Sequence, residues 1–340
     1  MQPEYPIFIP SKGRWTAQLT STHLSRMGVP HTIIVERQEL KDYQHHGTPL
    51  ASYIELDPHY RTIHETCDEY GDSRSYGAGP ARNMAWDLAI ATGVKRHWNI
   101  DDNIMGWFRL NHNLKTPVAD GTILRVIESF ADRYDNVGLA GPNYFMFANR
   151  KTRMAPFVLN TRIYSCTLIR NDLPFRWRLR MNEDTDLSLR VLKSGLCTVQ
   201  FYAFLQNKAT TQTMKGGYNT AGLYADKDAI DHEPNYHMHE GCNANPNAPC
   251  SIVEGWCCET HRGQSTMWKS QMLVDQHPDV ARIAWRYKRW HHHVDYSGFT
   301  QKLRPREGLE IAAGTDNFGM VLERLDSAID SWRVVATPWE

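Results

Sequence analysis

The chain has 340 residues, 41% hydrophobic and 22% charged, which fits an ordinary globular protein of one large domain or two small ones. Lys and Arg total 38, as do Asp and Glu, which excludes a global field drawing the protein to DNA or acidic membranes; any polyanion contact needs a local patch. No run of about 18 apolar residues and no signal-peptide pattern occur, so a cytoplasmic protein with no membrane span is expected, and seven cysteines, an odd number, argue against a disulfide framework.

In chain order, Pro6 to Pro10 reads as an opening strand and Ser11-Lys12-Gly13-Arg14 as the loop after it. Thr16 to Met27 has helical character, and His31 to Glu36 reads as a second strand. Gly77-Ala78-Gly79-Pro80 is a loop that opens a helix over Ala81 to Ala91, with Pro80 at its start. Trp98 to Ile100 then delivers the triplet Asp101-Asp102-Asn103. This alternation predicts an α/β sandwich with a mostly parallel sheet. Ligands of such sheets sit at the carboxyl ends of the strands, where the Ser11–Arg14 loop and the triplet both fall.

Further on, Gly121 to Phe130 reads as a helix, Val137 to Phe147 as strand plus loop, and Cys197 to Leu205 as a strand. A helix ending near Lys193 opens at Asn182-Glu183-Asp184. From about Ala225 to Gly263 the pattern breaks down into His, Asn, Pro, Cys and Gly, and reads as a long loop or insertion. Arg282 to His293 reads as a basic, aromatic helix, and Asp316 to Trp332 as a final amphipathic helix.

Adjacent carboxylates repel, so Asp101 and Asp102 call for a positive partner; hard oxygen ligands suit Mg²⁺ or Mn²⁺, which suit a diphosphate. A capped polar turn is the bland alternative. Arg82 and Asn83 lie in the first turn of a helix, whose exposed N–H groups favour an anion. Arg82 can equally be surface charge, and Asn83 a local cap. On a helix, Arg282, Arg286, Arg289 and His293 share one face and Ile283, Tyr287 and Trp290 another, a pattern able to track a phosphate backbone and stack an unpaired base, or simply a solvated face.

His232, His237, His239, Cys242, Cys250, Cys257, Cys258 and His261 can bind structural Zn²⁺, although adjacent Cys257 and Cys258 match no standard finger and a plain ordered loop is the other reading.

The order of a strand–Pro10–Ser11 loop, Gly79-Pro80-Ala81-Arg82-Asn83, Asp101-Asp102-Asn103 and Asn182-Glu183-Asp184-Thr185-Asp186 resembles inverting, family-two-like GT-A glycosyltransferases, across roughly residues 5 to 205. Thr213-Met214-Lys215-Gly216-Gly217, the Asn-Glu-Asp-Thr-Asp-Leu segment and Arg289 to Tyr296 look like the phage-encoded glycosyltransferases associated with TET-type oxygenases, which glycosylate 5-hydroxymethylcytosine in DNA. The resemblance implies a GT-A fold, a UDP-sugar donor and Mn²⁺ or Mg²⁺. It implies nucleoside contact by Asp101, metal contact by Asp102 or Asn103, and nucleotide contact by Arg82 and Asn83. Lys12 and Arg14 stand in a loop that can meet the diphosphate. Asn103 departs from the family pattern, where an aspartate is usual, and weakens the charge on the metal; His232 or a histidine near it is a candidate third ligand.

Family position makes Asp184 the base, with Glu183 holding the acceptor or a sugar hydroxyl. Lys208, Lys215, Gly216 and Gly217 resemble the part that folds over donor phosphates. The expected layout is a GT-A nucleotide-sugar and catalytic domain over 1–224, the Cys/His-rich insertion or loop over 225–263, and a helical region over 264–340 that contacts DNA. The acceptor expected is DNA containing 5-hydroxymethylcytosine. The rival readings are a GT-A enzyme acting on a glycan, lipid or protein, a nucleotidyltransferase, and a non-catalytic DNA-binding module.

Overall fold

The computed structural model describes residues 1–111, 113–148, 155–209, 214–217, 267–287, 289–308, 321–324 and 332–335. The opening strands are β1 (Ile7–Pro10), β2 (His31–Val35), β3 (Ala51–Glu55) and β4 (Arg96–Ile100). They run parallel in the order β3-β2-β1-β4. Between them come helices α1 (Leu19–Arg26), α2 (Leu40–His45), the single turn α3 (His59–Thr62) and α4 (Gly79–Ala91).

The sheet continues through β5 (Ile104–Asn111), β6 (Leu114–Pro117), β7 (Val137–Tyr144), β8 (Phe157–Leu159), β9 (Cys166–Arg170) and β10 (Cys197–Lys208). Among the described residues these ten strands form one mixed sheet, ordered β3-β2-β1-β4-β9-β7-β10-β5-β6, with β8 paired to β10. β9 is antiparallel to both β4 and β7, while β7 and β10 are parallel. This is the expected α/β, GT-A-like Rossmann architecture.

Strand alternation fixes the layers. Ile7 and Ile9 of β1 pack with Leu24 of α1 and with Ile123, Leu124 and Ile127 of α5 (Thr122–Ala131). Phe8, between them, points to the opposite face, onto Ala81, Ala85 and Ala89 of α4. Small alanines at spacing four let α4 lie close to the sheet. On that face Trp86 of α4 also joins Leu187 and Val191 of α6 (Glu183–Lys193) around Leu139 and Ile169. Helices therefore cover both faces, and the carboxyl ends of β1, β2 and β4 share one rim.

The C-terminal region departs from the expected helices. One helix, α7 (Met267–Gln276), packs Trp268, Met272 and Leu273 on Leu179, Met181 and Leu189. Residues 282 to 293, read from sequence as a helix, instead form an antiparallel hairpin of β11 (Ala281–Arg286) and β12 (Arg289–Val294), turning at Tyr287 with φ 53°. Trp285 faces Trp290 across it with ring centroids 5.1 Å apart, a cross-strand aromatic pair that a helix would not form. The register pairs Arg282 with His293 and Arg286 with Arg289. These four positions still share a face, because period-two alternation plus pairing reproduces the grouping that the helical spacing suggested.

The expected helix over 316–332 is also contradicted: Val321–Arg324 (β13) and Trp332–Val335 (β14) pair as antiparallel strands, as suits their valine-rich ends. The Cys/His-rich stretch over 225–263, with His232 and the possible zinc ligands, lies outside the described residues. No helix among the described residues is long and apolar enough to cross a membrane.

Candidate active site

At the rim formed by β1, β2 and β4 lies a cleft of about 420 Å³. Pro10, Ser11, Lys12, Arg14, Arg82, Asp101, Asp102, Asn103, Glu183 and Asp184 all line it, so the sequence-derived motifs converge although they span more than 170 positions. The N-terminal ends of α4 and α6 reach the same cleft through Ala78, Ala81 and Arg82 and through Asn182 to Asp184. Their free N–H groups and dipoles favour an anionic ligand there.

The acidic triplet is held by its backbone. Thr20 Oγ1 donates to the Asp101 carbonyl at 2.6 Å and accepts from the Ile104 N–H at 2.8 Å, while the Ala209 N–H donates to the Asn103 carbonyl at 2.9 Å. Its two carboxylates are then claimed by cations. Asp101 accepts from Arg82 Nη2 at 2.8 Å and from Lys208 Nζ at 2.7 Å. Burial opposes ionisation of Asp101, yet Lys208 and Arg82 outweigh it and hold the carboxyl well below the usual carboxylate range.

Asp102 accepts from Ser11 Oγ at 2.6 Å and from Arg14 Nη1. Burial nevertheless prevails over Arg14 and Ser11 and pushes the Asp102 carboxyl up. Ser11 also bonds the buried Tyr43 hydroxyl at 2.7 Å, and that hydroxyl accepts from the Arg14 N–H at 3.0 Å. Tyr43 thus fixes the loop that aims Ser11 and Arg14 at Asp102. Its role is invisible in sequence, because an apolar-surrounded tyrosine on a short helix carries no motif.

Arg82 joins the two acidic motifs. Its Nη1 donates to Glu183 Oε1 at 2.8 Å while Nη2 holds Asp101, and its guanidinium lies 4.6 Å from the Trp177 ring centroid. Asp184 is different. Its Oδ1 accepts from the Thr185 N–H at 2.7 Å, and among the described residues it has no ion pair and no donor to Oδ2. Of the five carboxylates among the described residues that line the cleft, Glu36 pairs with Lys12 and Arg61, Asp101 with Arg82 and Lys208, Asp102 with Arg14 and Glu183 with Arg82. Asp184 stands outside these pairs.

The segment 214–217 folds onto the first loop. The Gly217 N–H donates to the Lys12 carbonyl at 2.8 Å, and Arg14 Nε donates to the Lys215 carbonyl at 3.1 Å. Gly216 has φ +82°, and a Cβ there would meet the Gly13 carbonyl oxygen at 2.5 Å and that of Lys12 at 2.6 Å, so only glycine fits. Met214 and Gly217 line the cleft, whereas the exposed Lys215 contributes its backbone and is not among the lining residues.

Asn83 is not among the lining residues either. Its amide donates to the Trp177 carbonyl at 2.9 Å and accepts from the Trp177 N–H at 2.8 Å, which ties α4 to the segment before α6. It is a buried brace and lines no part of the cleft. Residues that carried no local signal complete the site: Ser165, which accepts from Lys208 at 2.9 Å, and Tyr144, whose hydroxyl bonds Ser165 Oγ at 2.6 Å.

For a divalent cation, the triplet offers the Asp102 carboxylate and Asn103 Oδ1, a buried oxygen with no hydrogen-bond partner among the described residues. These are hard oxygens of the type Mn²⁺ and Mg²⁺ take, and Mg²⁺ commonly has one or two protein ligands with water and phosphate completing the shell. The donor set therefore fits, with Arg14 as its competitor for Asp102. Among the described residues no group of three or more His, Cys, Asp or Glu side chains stands ready as a metal site.

No curated protein matches the chain. The family of TET-associated glycosyltransferases matches residues 5–217, more than half of the chain and the whole scaffold from β1 to Gly217, and the chain belongs to that family.

Proposed function

We propose that this glycosyltransferase moves a sugar from a UDP-sugar to the hydroxymethyl group of 5-hydroxymethylcytosine in DNA, with inversion. The observation that carries the reading is Asp184, the cleft carboxylate with no ion pair among the described residues, standing beside a set of paired acids and cations suited to a nucleoside diphosphate.

In this reading the acceptor hydroxyl attacks the anomeric carbon from the side opposite the diphosphate. Asp184 Oδ2 takes the hydroxyl proton as the new C–O bond forms. The bond from the anomeric carbon to the β-phosphate oxygen breaks, and its electron pair leaves with the nucleoside diphosphate. Arg14 and Lys208, each already at the triplet, reorient toward the phosphates and neutralise the developing charge, as do the N-termini of α4 and α6. Asp101 meets the nucleoside. Asp102 and Asn103 would hold Mn²⁺ or Mg²⁺, which supplies further neutralisation of the diphosphate. Glu183, fixed by Arg82, orients the acceptor or a sugar hydroxyl. Segment 214–217, seated on the first loop, closes over the donor and limits its hydrolysis.

The β11–β12 hairpin serves the DNA contact first assigned to a helix. Arg282 and Arg286 are exposed on one face, and Tyr287 at the turn is 91% exposed. A positive face with an aromatic tip suits a phosphate backbone and an unstacked base.

The test is UDP release from UDP-glucose, UDP-galactose and UDP-N-acetylglucosamine with matched oligonucleotides. Release that requires 5-hydroxymethylcytosine supports the reading. Equal release with plain cytosine DNA, or release driven by a glycan, lipid or protein acceptor, contradicts it.

A further inference from the structure

A further group of side chains adjoins the cleft through Tyr144. Tyr144, which lines the cleft, has its ring centroid 4.2 Å from that of Tyr164. The Arg162 guanidinium lies 4.8 Å from the Tyr164 ring centroid. Arg162 is half-buried and forms no ion pair and no side-chain hydrogen bond among the described residues. Tyr296, at the end of the hairpin, has a buried hydroxyl with no hydrogen-bond partner among the described residues. The Ile163 N–H donates to Ser188 Oγ at 3.1 Å and Ser188 Oγ to the Asp184 carbonyl at 2.8 Å, which sets the segment of Arg162 beside the start of α6. Arg162, His292 and Tyr296 all sense the Asp184 charge.

A buried phenol with no partner among the described residues is unfavourable unless a ligand completes it, and the half-buried Arg162 guanidinium has donors to spare for one. The hairpin brings two of the three residues. Its inner-face positions 281, 283, 285, 290, 292 and 294 alternate with those carrying Arg282 and Arg286, so His292 faces the protein while the basic positions face away. The hairpin packs on α7, which is tied to α6 by Asn182 Nδ2 donating to the Lys269 carbonyl at 2.5 Å and by His277 Nε2 bonding Asp186 at 2.9 Å. The start of α6, with Asp184, is thus linked to the hairpin through a buried connection.

We propose that Arg162, His292 and Tyr296 form the acceptor subsite, which holds an extruded pyrimidine base with its 5-substituent at Asp184. This rests on the glycosyl transfer to DNA proposed above. Arg162 donates and never accepts, so it matches the O2 and N3 acceptors of cytosine and not the N3–H of uracil. Tyr144 and Tyr164 supply the aromatic wall beside the base, and extrusion is required because a base inside a duplex hides its reacting group. The subsite lies partly beyond the region shared with the family, since His292 and Tyr296 follow residue 217.

The experiment compares the full-length wild type, Arg162→Met and Tyr296→Phe on DNA carrying 5-hydroxymethylcytosine or 5-hydroxymethyluracil, with the three UDP-sugars above. KM for DNA, KM for donor and donor hydrolysis without DNA are read separately. The expected result is a wild-type preference for 5-hydroxymethylcytosine that Arg162→Met abolishes. Both variants should raise KM for DNA about tenfold or more, which corresponds to about 1.4 kcal/mol or more, while donor KM and hydrolysis stay at wild-type values and report an intact fold. Unchanged DNA KM and unchanged base preference overturn the subsite alone. A wild type that turns over donor but ignores 5-hydroxymethylated DNA overturns the functional reading and the subsite with it.

Discussion

Arg82 on α4 donates Nη1 to Glu183 Oε1 on α6 at 2.8 Å, and the same guanidinium donates Nη2 to Asp101 Oδ1 at 2.8 Å. One side chain therefore couples the triplet after β4 to the helix that carries Asp184. The guanidinium fork suits this task because it presents two donors in a fixed plane, which an ammonium cannot do.

Arg82→Met leaves Glu183 without that pair and Asp101 with Lys208 alone. Both acids are mostly buried, at 10% and 19% side-chain exposure, so removing one cation costs far more than losing a surface pair. A loss of about 3 kcal/mol in unfolding free energy is expected, read by urea denaturation. Arg82→Lys should recover only part of it. Full stability in Arg82→Met contradicts the bridging role.

Asp184→Asn keeps an Oδ1 acceptor for the Thr185 N–H and removes the proton acceptor. kcat should fall on the order of a hundred- to ten-thousand-fold while donor binding and thermal stability stay near wild type. A comparable kcat loss is not expected for Asn83→Ala, whose effect should appear as instability, because Asn83 braces Trp177.

Gly216→Ala places a Cβ against the Lys12 and Gly13 carbonyls at a positive φ. Left-handed strain of about 1–3 kcal/mol adds to the clash, and the cheapest escape is to undock segment 214–217. KM for the UDP-sugar should rise on the order of tenfold, with more donor hydrolysis in the absence of acceptor. Unaltered donor kinetics would show that the docked segment plays no part in covering the donor.

Much of the site was legible because its motifs follow strand ends. Pro10 closes β1 and Ile100 closes β4, so neighbouring parallel strands had to bring Ser11 and Asp101 to one rim. The pairing of those residues was not legible. Nothing local says that Lys208, 107 positions from Asp101, would reach it, or that Tyr43 would support Ser11. β9 was missed since its buried Cys166–Arg170 run lacks the alternation that marks a half-solvated strand. The hairpin was misread for a physical reason. The spacing of Arg282, Arg286, Arg289 and His293 satisfies a helical face, and a two-stranded ribbon reversing at Tyr287 satisfies it as well.

His97 gives a pH dependence. It is fully buried, bonds Asn171 Oδ1 at 2.6 Å, and burial lowers its pKa from the ordinary 6.5 to about 4. The folded state therefore stays neutral where the unfolded state takes up a proton. Its contribution to stability is fully present above pH 6.5 and is lost as pH falls from there toward 4. The urea midpoint should drop between pH 7 and pH 5, and His97→Asn should flatten that slope. An equally steep slope in the variant contradicts the assignment.

Metal dependence has its own test. EDTA should suppress turnover and Mn²⁺ should restore it. Asn103→Asp, which adds a carboxylate beside Asp102, should lower the half-saturating Mn²⁺ concentration, and Asp102→Asn should raise it. Turnover indifferent to EDTA removes the cation from the account and leaves Arg14, Arg82 and Lys208 as the diphosphate partners.

The central claim is sugar transfer to the hydroxymethyl group of a DNA base under control of Asp184. Mass spectrometry of nucleosides from 5-hydroxymethylcytosine DNA, incubated with a UDP-sugar and Mn²⁺, reads it directly. The account predicts a nucleoside heavier by one sugar with the wild type, none with Asp184→Asn, and none from plain cytosine DNA. A wild type that leaves 5-hydroxymethylcytosine unmodified with every UDP-sugar, or an Asp184→Asn variant that modifies it at the wild-type rate, contradicts it.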